Sequence, residues 1–133
     1  MSVSGTQTEQ NLAIAYLGEC QAMVRYTQFA QRARSERFHR IASAFEEIAR
    51  QELAHAQALH NQLEKGSVEL HFHLPVRQVE GTPTNLKTAI IGETYEHSTM
   101  YPDFGRKARE EGLEEVASLF DALAKTERQH DQR

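Results

Sequence analysis

Two stretches carry the residue types and spacing of a metal site: Glu52-Leu53-Ala54-His55 and Glu127-Arg128-Gln129-His130. Each is Glu-x-x-His, and on a helix an i, i+3 pair shares one face. That face is the apolar one. Phe38, Ile41, Phe45 and Ile48 lead into the first pair, and Leu113, Val116, Phe120 and Leu123 into the second. Carboxylates and imidazoles thus fall where a helix turns toward a core. An uncompensated buried carboxylate costs several kcal/mol or shifts its pKa until it is neutral. A cation is the compensation such a set requires.

Four helices must position these residues. Thr6 and Glu9 form a capping-box pattern, followed by the stripe Leu12, Tyr16, Glu19, Met23, Tyr26, Ala30, Ala33, which predicts a helix over about 8–34. A short connection returns the chain antiparallel into a second helix, and Gly66 is a plausible stop near its end. The segment at about 66–82 lacks helical periodicity, contains Pro75 and is long enough to cross the length of a bundle. His71 and His73 lie on it without carboxylates at ligand spacing and read as exposed loop histidines. Thr82-Pro83 reads as an N-cap followed by proline. The third helix carries Leu86, Ala89, Glu93, Glu96, Met100 and Phe104 to about residue 111, with Pro102 expected to bend it, and a fourth begins at Leu113. The fold class is all-α: a four-helix bundle of two antiparallel pairs joined by a long crossover. It forms one domain, 1–133, and the crossover permits a domain-swapped dimer.

The second helix pair repeats the first. At an offset of 75, identities fall at Tyr26, Phe29, Ala33, Arg34, Glu36, Ala42, Ser43, Phe45, Ala49, Glu52 and His55. Upstream, Gly18-Glu19 matches Gly92-Glu93 at an offset of 74. The second copy therefore holds one extra residue between Glu93 and Tyr101. A helix absorbs such an insertion as a π-type turn, a feature frequent at functional sites.

The stripes bring Glu19, Glu52, His55, Glu93, Glu96, Glu127 and His130 together. One Glu from each of two helices plus Glu-x-x-His from the other two is the di-metal arrangement of ferritin-like carboxylate bundles, the fold class expected here. Oxygen-rich ligation with two imidazoles suits two Fe ions; Mn or a mixed Fe/Zn pair is the alternative. Glu96 lies near the stripe edge, where a surface role competes with ligation. Tyr26 and Tyr101 occupy matching positions, as core packing or as phenols bonded to ligating carboxylates. Glu46 and Glu47 fall off the stripe and read as solvated. Cys20 points about 100° away from Glu19 and reads as a packed residue.

Composition removes several classes. A net charge of −4 gives no footprint for nucleic acid. No run approaches the roughly 20 apolar residues of a bilayer span, and the N-terminus lacks a signal-peptide pattern. One cysteine builds neither an intrachain disulfide nor a Cys-x-x-Cys site, so the expected compartment is the cytoplasm.

Gly18-Glu19-Cys20-Gln21-Ala22 through Arg25-Tyr26, both Glu-x-x-His motifs, and Gly92-Glu93-Thr94-Tyr95-Glu96 through Met100-Tyr101-Pro102 resemble rubrerythrin. The resemblance implies a non-haem di-iron peroxidase that reduces hydrogen peroxide to water in defence against oxidative stress. It implies Glu52 and Glu127 as bridging ligands, Glu19 as a terminal ligand of one iron, and Glu93 and His130 of the other. Glu96 and His55 would trade places on the first iron with redox state, and Tyr26 and Tyr101 would support the ligands. Family members commonly append a domain whose iron four cysteines hold. With one cysteine, the expectation is a short form without it, fed by an external donor such as a rubredoxin-like protein, and assembled as a homodimer or higher homo-oligomer. The competing functions are iron oxidation or storage with dioxygen, and a metal-stabilised bundle without catalysis.

Overall fold

The computed structural model describes residues 2–131, the last by its backbone alone, and these are helical with no strand among them. Helix α1 spans Gln7–Ser35 and α2 His39–Gln62. An extended crossover, 67–81, then leads to α3, Thr82–Tyr95. A π-helical turn, Glu96–Met100, continues directly into α4, Tyr101–Glu110. Helix α5 spans Glu114–Asp131. The third helix of the bundle is thus α3, the π turn and α4 in series. Its π segment lies where the one-residue insertion demands it.

Local chemistry sets the ends. Thr6 Oγ1 accepts the Glu9 N–H at 3.1 Å, but the Glu9 carboxylate reaches back to Gly5 N at 3.2 Å, not to Thr6. Thr82 is the first residue of α3 rather than its cap, which is Gly81. The α3 N-terminus is capped from a distance instead: Glu36 Oε1 accepts from Thr82 N at 2.9 Å and from its hydroxyl at 2.5 Å. The repeat-related Glu111 caps α1 the same way, accepting from Gln7 N at 3.0 Å and Thr8 N at 2.8 Å, and from the Thr8 hydroxyl. Each helix pair therefore closes the first turn of the other, satisfying donors a helix start leaves unpaired. Both short connections end in the same 6→1 bond, Phe38 N to Ala33 O and Leu113 N to Ala108 O, each at 2.8 Å. These turns need a left-handed residue, which is Gly112 (φ 76°) in one and Arg37 (φ 68°) in the other.

The core is two apolar clusters with a polar layer between them. One joins Ala22, Tyr26, Phe29, Ala30 and Ala33 of α1 to Ala42, Phe45, Ile48 and Ala49 of α2. The other joins Leu12, Ala15 and Leu59 to Tyr101, Ala108, Leu113, Val116, Ala117, Phe120, Leu123 and Ala124. Each contains one aromatic triad. Tyr26 stacks on Phe45 at 5.8 Å and Tyr101 on Phe120 at 6.0 Å, and a Phe meets each pair edge-on. Phe38, expected on the core stripe, is 44% exposed. It belongs to the tight turn, and the buried run of α2 begins at Ala42.

Candidate metal centre

The polar layer between the clusters holds Glu19, Glu52, Glu93, Glu127 and His130, all buried, and the partly buried His55. Each stands one or two turns along its helix from a cluster residue, so apolar packing on both sides fixes the helices that carry it.

His55 Nδ1 lies 3.4 Å from Glu127 Oε1, 3.5 Å from Glu19 Oε2 and 3.8 Å from Glu52 Oε1. His130 Nδ1 lies 3.4 Å from Glu52 Oε1, 3.4 Å from Glu127 Oε2 and 3.5 Å from Glu93 Oε2. Two sets of four follow, each with ligand-type atoms within 4.8 Å of one another: Glu19, Glu52, His55, Glu127 and Glu52, Glu93, Glu127, His130. Glu52 and Glu127 belong to both.

Seven buried atoms of these residues have no hydrogen-bond partner: Glu19 Oε2, Glu52 Oε1, His55 Nδ1, Glu93 Oε2, both Glu127 oxygens and His130 Nδ1. Buried polar atoms are normally paired, and these converge on two points. Donors each about 2.1 Å from one cation stand about 3.0–3.4 Å apart at octahedral to tetrahedral angles, close to the 3.4–3.8 Å separations here. The donor set is three carboxylates and one imidazole for each point, which suits divalent iron, manganese or zinc. The residues therefore fit a pair of cations sharing Glu52 and Glu127.

The remaining oxygens are held from across the bundle. Tyr26 donates to Glu93 Oε1 at 2.6 Å, and Tyr101 donates to Glu19 Oε1. His130 Nε2 meets Gln51 Oε1. An amide oxygen only accepts, so Nε2 carries a proton, and Nδ1 is the nitrogen that faces the carboxylates. Sequence reasoning missed Gln51, because nothing in its spacing distinguishes it from a solvent-facing helix residue.

The side chains cannot all be charged on their own. Burial, then the Glu19 charge, pushes the Glu52 carboxyl well above the ordinary range. Burial would lower His55, but the adjoining Glu127 and Glu19 carboxylates raise it to about 9. Burial opposes ionisation of Glu127 too, yet His130 and His55 hold it below the ordinary value. Burial first, then nearby carboxylates, drive both phenols up, so Tyr26 and Tyr101 remain protonated donors.

Glu96 stands apart. It is the first residue of the π turn, partly buried, and outside both four-residue sets. Burial and then Glu19 push its carboxyl up to about 8, against the attraction of Arg25, His130 and His55. It borders a chamber that also reaches Glu19 and Tyr101. His71 and His73 lie on the exposed crossover, 3.1 Å apart through their Nε2 atoms. Glu46, expected off the stripe, pairs with Arg34 and is partly buried. Cys20 is a free thiol, also partly buried.

An all-helical bundle with paired carboxylate–histidine sets in its polar layer is the ferritin-like di-metal class. Within that class, the rubrerythrin family model matches residues 10–133, and the chain belongs to this family. It is 40% identical over 132 residues to rubrerythrin of Porphyromonas gingivalis, an alignment covering 99% of this chain and 66% of that protein. It is 42% identical over 136 residues to rubrerythrin of Clostridium perfringens, covering 99% and 70%. The chain thus spans about two thirds of the length of these curated relatives. The fully reduced, all-ferrous structure of nigerythrin superposes with a TM-score of 0.85 at 33% identity, covering 99% of this chain and 68% of that one. Symerythrin from Cyanophora paradoxa, reduced with dithionite, gives 0.82 at 27% identity, with 99% and 83% coverage. Among the described residues, no helix is long and apolar enough to cross a membrane.

Proposed function

We propose that the chain is a non-haem di-iron peroxidase that reduces hydrogen peroxide to water with electrons from an external one-electron carrier, such as a rubredoxin-like protein. The observation that supports this most directly is the convergence of seven unpartnered buried ligand atoms into two sets sharing Glu52 and Glu127.

Glu19, Glu52, His55 and Glu127 would hold one iron, and Glu52, Glu93, Glu127 and His130 the other. When bound, the two ions supply Lewis acidity and one electron each. Tyr26 and Tyr101 hold protons against Glu93 Oε1 and Glu19 Oε1, fixing which oxygen of each carboxylate faces inward. The apolar clusters pack on either side of the polar layer and hold its helices in place. Glu96 would be the reserve carboxylate on the Glu19 side, able to take the place of His55 as a ligand when the redox state changes. The π turn begins at Glu96 and closes with Tyr101 N–H on Glu96 O, so it shifts the register of Tyr101 relative to Glu93 and Glu96.

In this reading the protein acts in the cytoplasm, in oxidative-stress defence, through its ferritin-like domain. A homodimer would cover Ile90, Ile91 and Tyr95 of α3, which are 50%, 63% and 56% exposed.

Stopped-flow mixing of the reduced protein with hydrogen peroxide tests the reading. Glu96→Ala slows oxidation at least tenfold while both ions stay bound. Unchanged turnover removes Glu96 from the reaction, and a native protein that peroxide fails to oxidise removes the reaction itself.

A further inference from the structure

A chamber of about 250 Å³ opens beside the polar layer. Its floor is Glu19, Glu96 and Tyr101, and its roof is the crossover, through Phe72, His73, Pro75 and Arg77. The roof is tied to α1 by Gln21 Nε2, which donates to Pro75 O at 2.5 Å. Two walls are glycines, Gly18 inside α1 and Gly92 inside α3.

These glycines occupy equivalent places in the two repeats. Glycine inside a helix is destabilising relative to alanine, so each calls for a reason. Backbone conformation supplies none, because neither has a positive φ. Packing supplies none either, since no atom lies within 4 Å of where a Cβ would stand at Gly18 or Gly92. What they create is empty volume next to the carboxylates. Hydrogen peroxide is little larger than water, whose share of liquid volume is about 30 Å³. An apolar cavity of about 150 Å³ suffices for benzene. Ile14, Phe72, Pro75 and Met100 give this chamber apolar surface, beside the charged Arg25 and Arg77 and the Glu19–Glu96 floor.

We infer that the chamber is a binding site for the organic part of an organic hydroperoxide, with its O–O group directed at the Glu19–Glu96 floor. The inference rests on the peroxidase reading and names a second substrate class for the same centre. The reaction ROOH + 2e⁻ + 2H⁺ → ROH + H₂O breaks the O–O bond. The electrons come from the same external carrier and the protons from solvent.

The test uses cumene hydroperoxide against hydrogen peroxide on the reduced protein, and binding of the unreactive product 2-phenyl-2-propanol to the zinc-loaded protein by ligand-observed NMR. The native protein is oxidised by both peroxides and binds the alcohol. Gly18→Leu and Gly92→Leu each lower the cumene-to-hydrogen-peroxide rate ratio at least tenfold and abolish alcohol binding. Gly18→Ala keeps both and raises the thermal midpoint by about 3–5 °C. Oxidation by hydrogen peroxide alone, an unchanged ratio in both leucine variants, or a lower midpoint in Gly18→Ala overturns the chamber assignment. Failure of both peroxides overturns the peroxidase reading instead, and alcohol binding then decides the chamber by itself.

Discussion

The Tyr26 hydroxyl on α1 donates to Glu93 Oε1 on α3 at 2.6 Å, and 75 residues after Tyr26 its counterpart Tyr101 donates to Glu19 on α1. The two bonds cross between the repeats, so each half of the chain orients a carboxylate of the other. Replacing either tyrosine by phenylalanine keeps the aromatic triad and leaves a buried carboxylate oxygen without its donor. We expect Tyr26→Phe to cost about 1–3 kcal/mol in chemical denaturation and to weaken metal affinity by about 10- to 100-fold. Tyr101→Phe should match it, because the surroundings match.

Removing the metals should separate two effects of Glu52. In the metal-free protein its charge is opposed by burial and by Glu19. Glu52→Gln should therefore raise the melting temperature of the chelator-treated protein and lower that of the metal-loaded protein. A change of the same sign in both forms would argue against a cation as the partner of Glu52.

Acid sensitivity should follow the crossed helix caps. Hydrogen bonds from the Thr82 hydroxyl and backbone hold the Glu36 carboxyl below its ordinary value of 4.5. For Glu111 burial pulls the other way, but the Thr8 hydroxyl and backbone prevail and its carboxyl is also lowered. A depressed folded-state pKa contributes stability that is complete above the unfolded value and is lost as pH falls through the folded one. Urea midpoints should show Glu36→Gln and Glu111→Gln weaker than the parent at pH 7, with the gap closing below about pH 4. A gap that persists in acid would assign the effect to packing.

At the first short connection, Arg37 takes the left-handed conformation that Gly112 takes at the second. A left-handed non-glycine residue costs about 1 kcal/mol. Arg37→Gly should stabilise the protein by up to about that amount, read by urea denaturation. A loss of stability would mean that the arginine side chain contributes more than its backbone costs.

Periodicity made the helices, the polar layer and the insertion legible, because each leaves a register. Glu19, Glu52, Glu127 and His130 interrupt apolar stripes, and the change in offset from 74 to 75 located the turn at Glu96–Met100. What lay beyond sequence has no local register. Glu36 and Glu111 cap helices 46 and 103 residues distant, and Gln51 meets His130 across 79 residues. Phe38 looked like a stripe residue because its spacing ignores the turn that begins α2. The chamber was illegible for a related reason: glycine at 18 and 92 marks space only once the crossover is seen to roof it.

The central claim is that a pair of metal ions holds these side chains together, and metal counting on protein loaded with ferrous iron under anaerobic conditions tests it most directly. We predict two ions per chain by elemental analysis, with both lost or severely weakened in Glu52→Ala and in Glu127→Ala because each residue belongs to both sets. A native protein that binds none, or binds only one, or variants that keep two tightly bound ions, would contradict it.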